Sequence, residues 1–382
     1  MASSVTVITV KTKAEQRAFV RFPLSLYKGC EPFIPPLYGD EMKIFTSKNA
    51  YADTCESICF LAKRDGKTVG RIQGIIQHQS NELNGEKRLR FSRFDAIDDE
   101  EVARALFDAL EAWGKEKNLD TVCGPLGYSD LEREGLLIEG FDQLSTFEEQ
   151  YNYDYYPALI EGCGYEKEID WLEFRLRAPK EKNVMLSRVA ERALELNKLH
   201  VVDPSTMSKK EYISRYKDGV FDCIDLCYRD LYGTVPFTES MKKQLIDQFM
   251  LIINKKYLIV ICDENDRVVS FALCLPAIGK ALQKSGGRLT PLALLRLLSA
   301  IRHPESIDLA LVAILPEYQA TGITAVMLEK MTEYLESGDV EYFETNLNLE
   351  TNTAVMAQWK YFDAQQHKRR RSYVKKLNKT EE

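Results

Sequence analysis

Histidine is the scarcest reactive residue in this chain. Its 382 residues hold four, His78, His200, His303 and His367, too scattered to read as a metal ligand set, so no metal is expected. The nine cysteines are odd in number. Their closest pairs, Cys55/Cys59 and Cys223/Cys227, are four apart, which is not the Cys-x-x-Cys spacing of zinc or thioredoxin-like sites. No Gly-x-Gly-x-x-Gly and no Gly-x4-Gly-Lys-Ser/Thr occurs, so dinucleotide and P-loop readings lose their main support. No serine or cysteine has a recognisable nucleophile setting, which excludes covalent catalysis from the expectations. No apolar run nears the roughly 18 residues of a membrane span, and the first residues lack a charged-then-apolar signal pattern. The expectation is a reduced, cytoplasmic protein. A net charge of −7 argues against nucleic acid as a partner.

What is present centres on residues 308–335. Residues 308–315 form an almost unbroken β-prone apolar run, the mark of a strand buried on both faces. Pro316 ends it. A helix follows, with Ile323, Met327, Met331 and Tyr334 on one stripe. Between strand and helix, Gln319-Ala320-Thr321-Gly322-Ile323-Thr324 offers backbone N–H groups at a helix N-terminus, a seat for a phosphate or pyrophosphate. A plain turn with one glycine at the bend is the alternative.

The order of elements is written twice. The first half reads as strand 5–10, helix 13–27, a hairpin 58–63 and 68–77, strand 89–96, helix 101–117, strand 121–124, a helix near 155–161 and strand 169–176. The second reads as short strand 201–202, helices through 253, a hairpin 257–262 and 268–275, the 308 strand with its helix, strand 342–346, helix 353–363 and last strand 371–377. This predicts two copies of one mixed α/β (α+β) unit, residues 1–178 and 179–382, joined through 177–183, rather than one doubly wound parallel sheet. The copies differ at the helix start. Where the second has its glycine turn, the first has Asp98, Asp99, Glu100 and Glu101, which cap a helix and repel an anion. The phosphate site is therefore expected in the second half only.

Gln-x-x-Gly-x-Thr at 319–324 resembles the pyrophosphate loop of GNAT acyltransferases, Gln/Arg-x-x-Gly-x-Gly/Ala, with Thr324 departing from the usual small last residue. Further motifs are Phe19-Val-Arg-Phe-Pro-Leu-Ser-Leu-Tyr27, Pro35-Pro36, Gly70-Arg-Ile72, Phe94-Asp-Ala-Ile-Asp-Asp99, Gly135-Leu-Leu-Ile-Glu-Gly-Phe-Asp142, Tyr151-Asn152 and Tyr155-Tyr156. Over nearly the whole chain they resemble the tandem-GNAT family that includes bacterial ceramide synthases. The resemblance implies two GNAT-like domains, each a largely antiparallel mixed sheet with flanking helices, and acyl-CoA or acetyl-CoA as cosubstrate. It implies that Gln319, Ala320, Thr321, Gly322, Ile323 and Thr324 hold the pyrophosphate. Strand amides at Ala313, Ile314 and Leu315 would polarise the thioester, and Asn352 would stand near the pantetheine arm, although Asn352 reads equally as a helix cap.

Transfer of an acyl group to an amine needs a base, a polarised carbonyl and a proton for the thiolate. Asp308 and Glu344, on neighbouring strands, are the candidate bases. His367 is a candidate proton relay, against a surface histidine in a basic loop. Tyr373 competes with Trp359 and Tyr361 as the acid. The run Lys368-Arg369-Arg370-Arg371 reads as CoA or headgroup contacts, or as solvated charge. Residues 277–304 carry Lys280, Lys284, Arg288, Arg296 and Arg302 and no acid, followed by a leucine-rich helix with Thr290 as cap and Pro291 in its first turn. That pattern fits contact with the inner membrane face or cover for an acyl chain, against a core-packed helix. The expectation is an acyl-CoA-dependent N-acyltransferase acting on an amine, with a lipid-like amine preferred. The alternatives are acetylation of a soluble amine or protein, and a non-catalytic acyl-CoA sensor.

Overall fold

In a computed structural model of the protein, residues 4–181 and 183–377 are described; Lys182, within the expected 177–183 connection, lies outside them. The first half runs β1 (Thr6–Thr9), α1 (Lys13–Leu26), α2 (Tyr38–Lys43), β2 (Cys55–Arg64), β3 (Lys67–Gln77), α3 (His78–Asn84), β4 (Arg88–Ala96), α4 (Glu100–Glu116), β5 (Thr121–Gly124), β6 (Leu136–Glu139), α5 (Tyr156–Gly162) and β7 (Glu166–Arg177). The second runs α6 (Val184–Asn197), β8 (His200–Val201), α7 (Lys209–Cys227), α8 (Glu239–Ile252), β9 (Leu258–Cys262), β10 (Val268–Pro276), α9 (Gly279–Gln283), α10 (Pro291–Arg302), β11 (Ser306–Ile314), α11 (Ile323–Glu336), β12 (Tyr342–Thr345), β13 (Asn348–Leu349), α12 (Thr353–Met356) and β14 (Asp363–Lys376).

Local sequence explains the frame. Asp65 and Gly66 both take positive φ (51° and 74°), the two-residue turn whose twist matches a right-handed hairpin. β9 and β10 are apolar along their length and buried at every position. Helix α4 turns Val102, Leu106, Leu110 and Trp113 inward, against Phe91 and Leu89.

The strands form one sheet in the order β1-β2-β3-β4-β5-β14-β7-β12-β11-β10-β9-β8, with β6 beside β14 and β13 beside β7. Each half contributes an antiparallel meander closed by a helical crossover to a parallel strand, α4 between β4 and β5 and α11 between β11 and β12. The halves then exchange their last strands. β7 pairs with β12 of the second half, and β14, the last strand of the chain, pairs with β5 of the first.

Two sequence expectations change here. The last strand starts at Asp363, not 371, and the expected 353–363 helix is one α-turn followed by a 3-10 turn, Ala357–Tyr361. The basic run is neither solvated nor free for phosphate. Lys368 and Arg370 point into the interior, where Glu173 lies 2.6 Å from each. Arg371 holds Asp170 at 2.8 Å. A strand-period reading places residues 368 and 370 on one face, and buried carboxylates across β7 supply their partners.

The 277–304 insertion ties the halves together. Gln283 Nε2 donates to the carbonyls of Glu31 (2.6 Å) and Phe33 (2.9 Å), and the Gly287 carbonyl accepts from Tyr38 N (2.9 Å). A side chain at Gly287 would collide with Pro36 O.

Candidate active site

The site begins where two parallel strands part. β11 and β12 pair from Ser306↔Tyr342 to Leu309↔Thr345; β12 then ends, while β11 continues along β10 to Ile314. The β10–β11 register slips from Leu273↔Leu311 to Cys274↔Leu309, leaving Ala310 as a bulge at the parting. The opening is a cleft of about 190 Å³ between Ala310, Leu311 and Val312 on one side and Thr345 and Asn346 on the other. The first half supplies its acidic wall, Asp130, Glu134, Glu148 and Glu149.

Alternation along β11 decides which groups face the cleft. Leu315 N donates to Val269 O of β10 (3.0 Å), and Ala313 O accepts from Ser270 Oγ (2.9 Å). Ala313 and Leu315 are thus occupied by β10. Of the three amides expected to polarise a carbonyl, only Ile314 lies on the open side, with Val312 beside it. That edge is covered by the end of α7. Val312 N donates to Tyr228 Oη (3.1 Å), Tyr228 Oη donates to Val312 O (2.9 Å), and Cys227 Sγ donates to Ile314 O (3.2 Å).

The helix starts differ as expected. Gly322 takes φ +90° and begins α11 with no side-chain cap. Gln319 Nε2 reaches back to Ile314 O (3.2 Å), and Thr321 Oγ donates to Tyr318 O (2.7 Å). Ala320 is exposed, Ile323 is buried, and Thr324 sits in the first turn of the helix. In the first half Asp99 accepts from the N–H groups of Glu101 and Val102, and Arg64 bridges Asp99 and Glu101 at 2.6 and 2.8 Å. That helix start is filled by its own carboxylates.

Asp308 and Glu344 lie opposite each other in the parallel register and line a separate, smaller cavity of about 50 Å³; the charges of Glu148 and Glu149 on the cleft wall reach Asp308. Glu344 faces His367 Nε2 at 2.6 Å and Lys368 Nζ at 2.9 Å. Burial pushes its carboxyl up, but Lys368 and His367 outweigh that and hold it at about 2. Asp308 has no such partner. Burial, then the charges of Glu148 and Glu344, push it well above the usual carboxylate range.

His367 is a buried strand residue joined to Glu344, not a surface histidine in a loop. Tyr373 does not reach the cleft. It is buried where β14 crosses β5, and its hydroxyl donates to Glu161 (3.1 Å) inside the first half. Strand exchange carries it there, so Tyr373 is not the acid of this cleft. Asn352 caps α12 through Val355 N (3.3 Å) and also lines the cleft. Trp359 lines the cleft too, 4% exposed, with no partner for its Nε1–H among the described residues. At the far end of the sheet, His200, Cys262 and Asp266 bring donor atoms within 4.8 Å, but Asp266 is already held by Arg215 at 2.6 and 2.8 Å.

Sequence reasoning missed the acidic wall and Tyr228. Glu148 and Glu149 precede the Tyr151-Asn152 motif and Glu134 precedes Gly135, yet all three lie in connections without periodicity. Burial pushes Glu148 up to about 8 and Glu149 up to about 7. Glu134 goes well above its ordinary range through burial and then the charges of Asp130 and Glu149.

This is a tandem GNAT fold. A tandem GNAT protein from the clavulanic acid biosynthesis pathway superposes with a TM-score of 0.55 at 11% identity, over 99% of this chain and all of that one. A GCN5-related glucosamine N-acetyltransferase region of a fungal multi-domain β-N-acetylglucosaminidase gives 0.56 at 12% identity, over 98% of this chain and 38% of that one. In sequence the chain is similar to Protein YghO of Escherichia coli, 28% identical over 378 residues, 97% of this chain and 95% of that protein. It is also similar to the bacterial ceramide synthase of Caulobacter vibrioides, 27% identical over 302 residues, 78% of this chain and 76% of that protein. No family model matches the chain.

Proposed function

We propose that the chain is an acyl-CoA-dependent N-acyltransferase whose second half, residues 179–382, binds the CoA thioester. The first half, 1–178, then carries the degenerate cofactor site. The observation that carries this reading is the parting of β11 from β12 beside an uncapped helix start, with Asp308 at its base. The edge at Val312 and Ile314 suits the pantetheine amides, and the uncapped N-terminus of α11 suits the pyrophosphate.

In the reaction the amine nitrogen bonds to the thioester carbon, the C–S bond breaks, and the products are an amide and the CoA thiol. An acceptor ammonium loses two protons, one before attack and one as the amide forms; the thiolate takes up one and the other leaves to solvent. Asp308 sits beside the last paired step before the strands part, without the two close cations that hold Glu344 ionised, so its proton can come and go during turnover. Asp308 is therefore the base, and Glu344, locked between His367 and Lys368, positions the strand.

A lipid-like substrate is supported by a second cavity of about 80 Å³ between α7, α8 and β9–β11. It is lined almost wholly by apolar groups and shares Leu131, Phe249 and Leu311 with the cleft. The ceramide synthase relative points the same way. None of the insertion's residues lines that cavity, so the insertion does not cover the chain path. Its helix α10 buries Ala293, Leu297 and Ile301 and leaves Leu292 (56% exposed) and Leu295 (65%) outward, beside exposed Lys284 and Arg302. That face suits an anionic membrane surface. Among the described residues no helix is long and apolar enough to cross a membrane.

Thiol release from acyl-CoA on addition of a primary amine tests the reading. Gly322→Asp adds a carboxylate to the helix start, where φ +90° and contact with Ala193 and Val189 also strain it, and should abolish both CoA binding and turnover, with a thermal melt separating loss of the seat from loss of the fold. The double variant Asp98→Asn/Asp99→Asn should bind CoA as the wild type does. Unchanged calorimetric CoA binding in Gly322→Asp would remove the site assignment.

A further inference from the structure

Three carboxyls from the first half stand in the cleft of the second, and among the described residues only Glu149 has a cation within ion-pair distance, Arg370 at 3.5 Å. Glu134 is 5% exposed and Glu149 2%, and Glu134 Oε2, Glu148 Oε2 and Glu149 Oε2 make no hydrogen bond among the described residues. The neighbouring cations are committed elsewhere. Arg133 donates to Phe147 O (2.7 Å) and Ile34 O (3.4 Å), and Arg90 to Ser80 Oγ (3.1 Å) and Gly127 O (3.4 Å). Arg370 bonds Glu173 (2.6 Å) and the Gln150 carbonyl, and reaches Glu149 only at 3.5 Å. Lys368 is shared between Glu173 and Glu344. Asp130, on the same wall, adds negative charge.

Uncompensated carboxyls in a dry interior are costly, and a fold keeps them where something neutralises them. Across the cleft a second, independent signal comes from the other half. The Trp359 indole N–H is buried and unpartnered, and so is Asn346 Oδ1. The cavity thus has an acidic wall from one half and unmet polar groups from the other, with the bulge at Ala310 between them.

We infer that Glu134, Glu148 and Glu149 form a cation subsite that receives the acceptor as its ammonium ion, which makes the first half the acceptor-binding half of the molecule. The inference rests on the functional reading above and deepens it by stating the charge of the acceptor and the residues that meet it. The ammonium docks against the carboxylates and faces Val312. An alkyl tail on the acceptor continues into the apolar cavity by way of Leu131 and Phe249. In the empty cleft burial keeps protons on the carboxyls; an arriving ammonium favours their ionised form, so binding releases protons near neutral pH.

The test is calorimetric binding of n-octylammonium and of 1-octanol to the full chain, in phosphate and in Tris at pH 7. Octylammonium should bind at least tenfold more tightly than octanol and release protons. Glu134→Gln/Glu148→Gln should weaken the amine at least tenfold, release fewer protons, and leave octanol and CoA binding unchanged. Glu148→Asp, which keeps the charge, should restore part of the loss. Equal binding of amine and alcohol, or full amine affinity in the double glutamine variant, overturns the subsite. Selective amine binding without thiol release from any acyl-CoA would instead retain the subsite and remove the transferase reading.

Discussion

Asp308 and Glu344 are register partners across one parallel strand pair, yet their carboxyls are driven in opposite directions. The difference lies in what faces each of them. Glu344 meets His367 and Lys368 directly, whereas at Asp308 burial and the charges of Glu148 and Glu344 outweigh the pull of Lys368. Two acids in one site whose proton affinities are pushed apart are what an acid–base division of labour needs.

Asp308→Asn should lower kcat far more than it raises the Michaelis constant for acyl-CoA, since a base acts in the transition state. Losing a placed general base costs on the order of 10²–10⁴-fold. Glu344→Gln should lower thermal stability as well, because it leaves Lys368 buried with one partner fewer. Steady-state kinetics with thermal melts separate the two; a Asp308→Asn enzyme within a few-fold of wild type would transfer the role to another group.

Tyr228→Phe should tighten binding of CoA thioesters. The hydroxyl makes two hydrogen bonds to Val312, and a pantetheine arm must replace them. Each is worth about 0.5–1.5 kcal/mol net, so a gain between roughly fivefold and 150-fold is expected by calorimetry. Weaker binding would show that the arm does not use this edge.

Stability should fall as pH rises from about 4.5 to about 8. Glu148 and Glu149 hold protons in the fold at pH values where the unfolded chain has lost them. Their folded values lie above the unfolded ones, so ionisation opposes folding across that window. Below it, Glu344 adds the opposite slope: its pKa is depressed to about 2, and its contribution is lost as pH falls from about 4.5 through 2. Melting temperature against pH reads both. Glu148→Gln/Glu149→Gln should flatten the upper slope, and an unchanged profile would contradict the burial argument.

Leu292→Ser/Leu295→Ser on α10 should reduce binding to anionic liposomes while leaving the melting temperature within a few degrees, because both side chains are exposed. Of the insertion's cations, Lys280 is paired with Glu305 (2.6 Å) and Arg288 lies over the Tyr38 ring (4.2 Å). Lys284, Arg296 and Arg302 are therefore the ones whose replacement should matter, and rising salt should weaken wild-type binding. Sedimentation with liposomes decides, and absence of wild-type binding would leave α10 a packing helix.

Much of this protein follows from local chemistry that the chain states for itself. The repeated order of elements, the turn at Asp65 and Gly66, the buried run of β11 and the contrast between Gly322 and Asp99 at the two helix starts are short-range patterns, legible because periodicity and turn chemistry need no distant partner. Asp308 and Glu344 were legible as strand neighbours for the same reason. Only the tertiary structure decided the rest. Exchange of β7 and β14 between the halves carries Tyr373 away from the cleft and buries Lys368 and Arg370 against Glu173, residues nearly two hundred positions apart in sequence. Glu134, Glu148 and Glu149 enter the site through connections that have no period to read. Long-range pairing gives a charge its partner or withholds it, and burial then sets its proton affinity. Neither is a property of any local stretch of sequence.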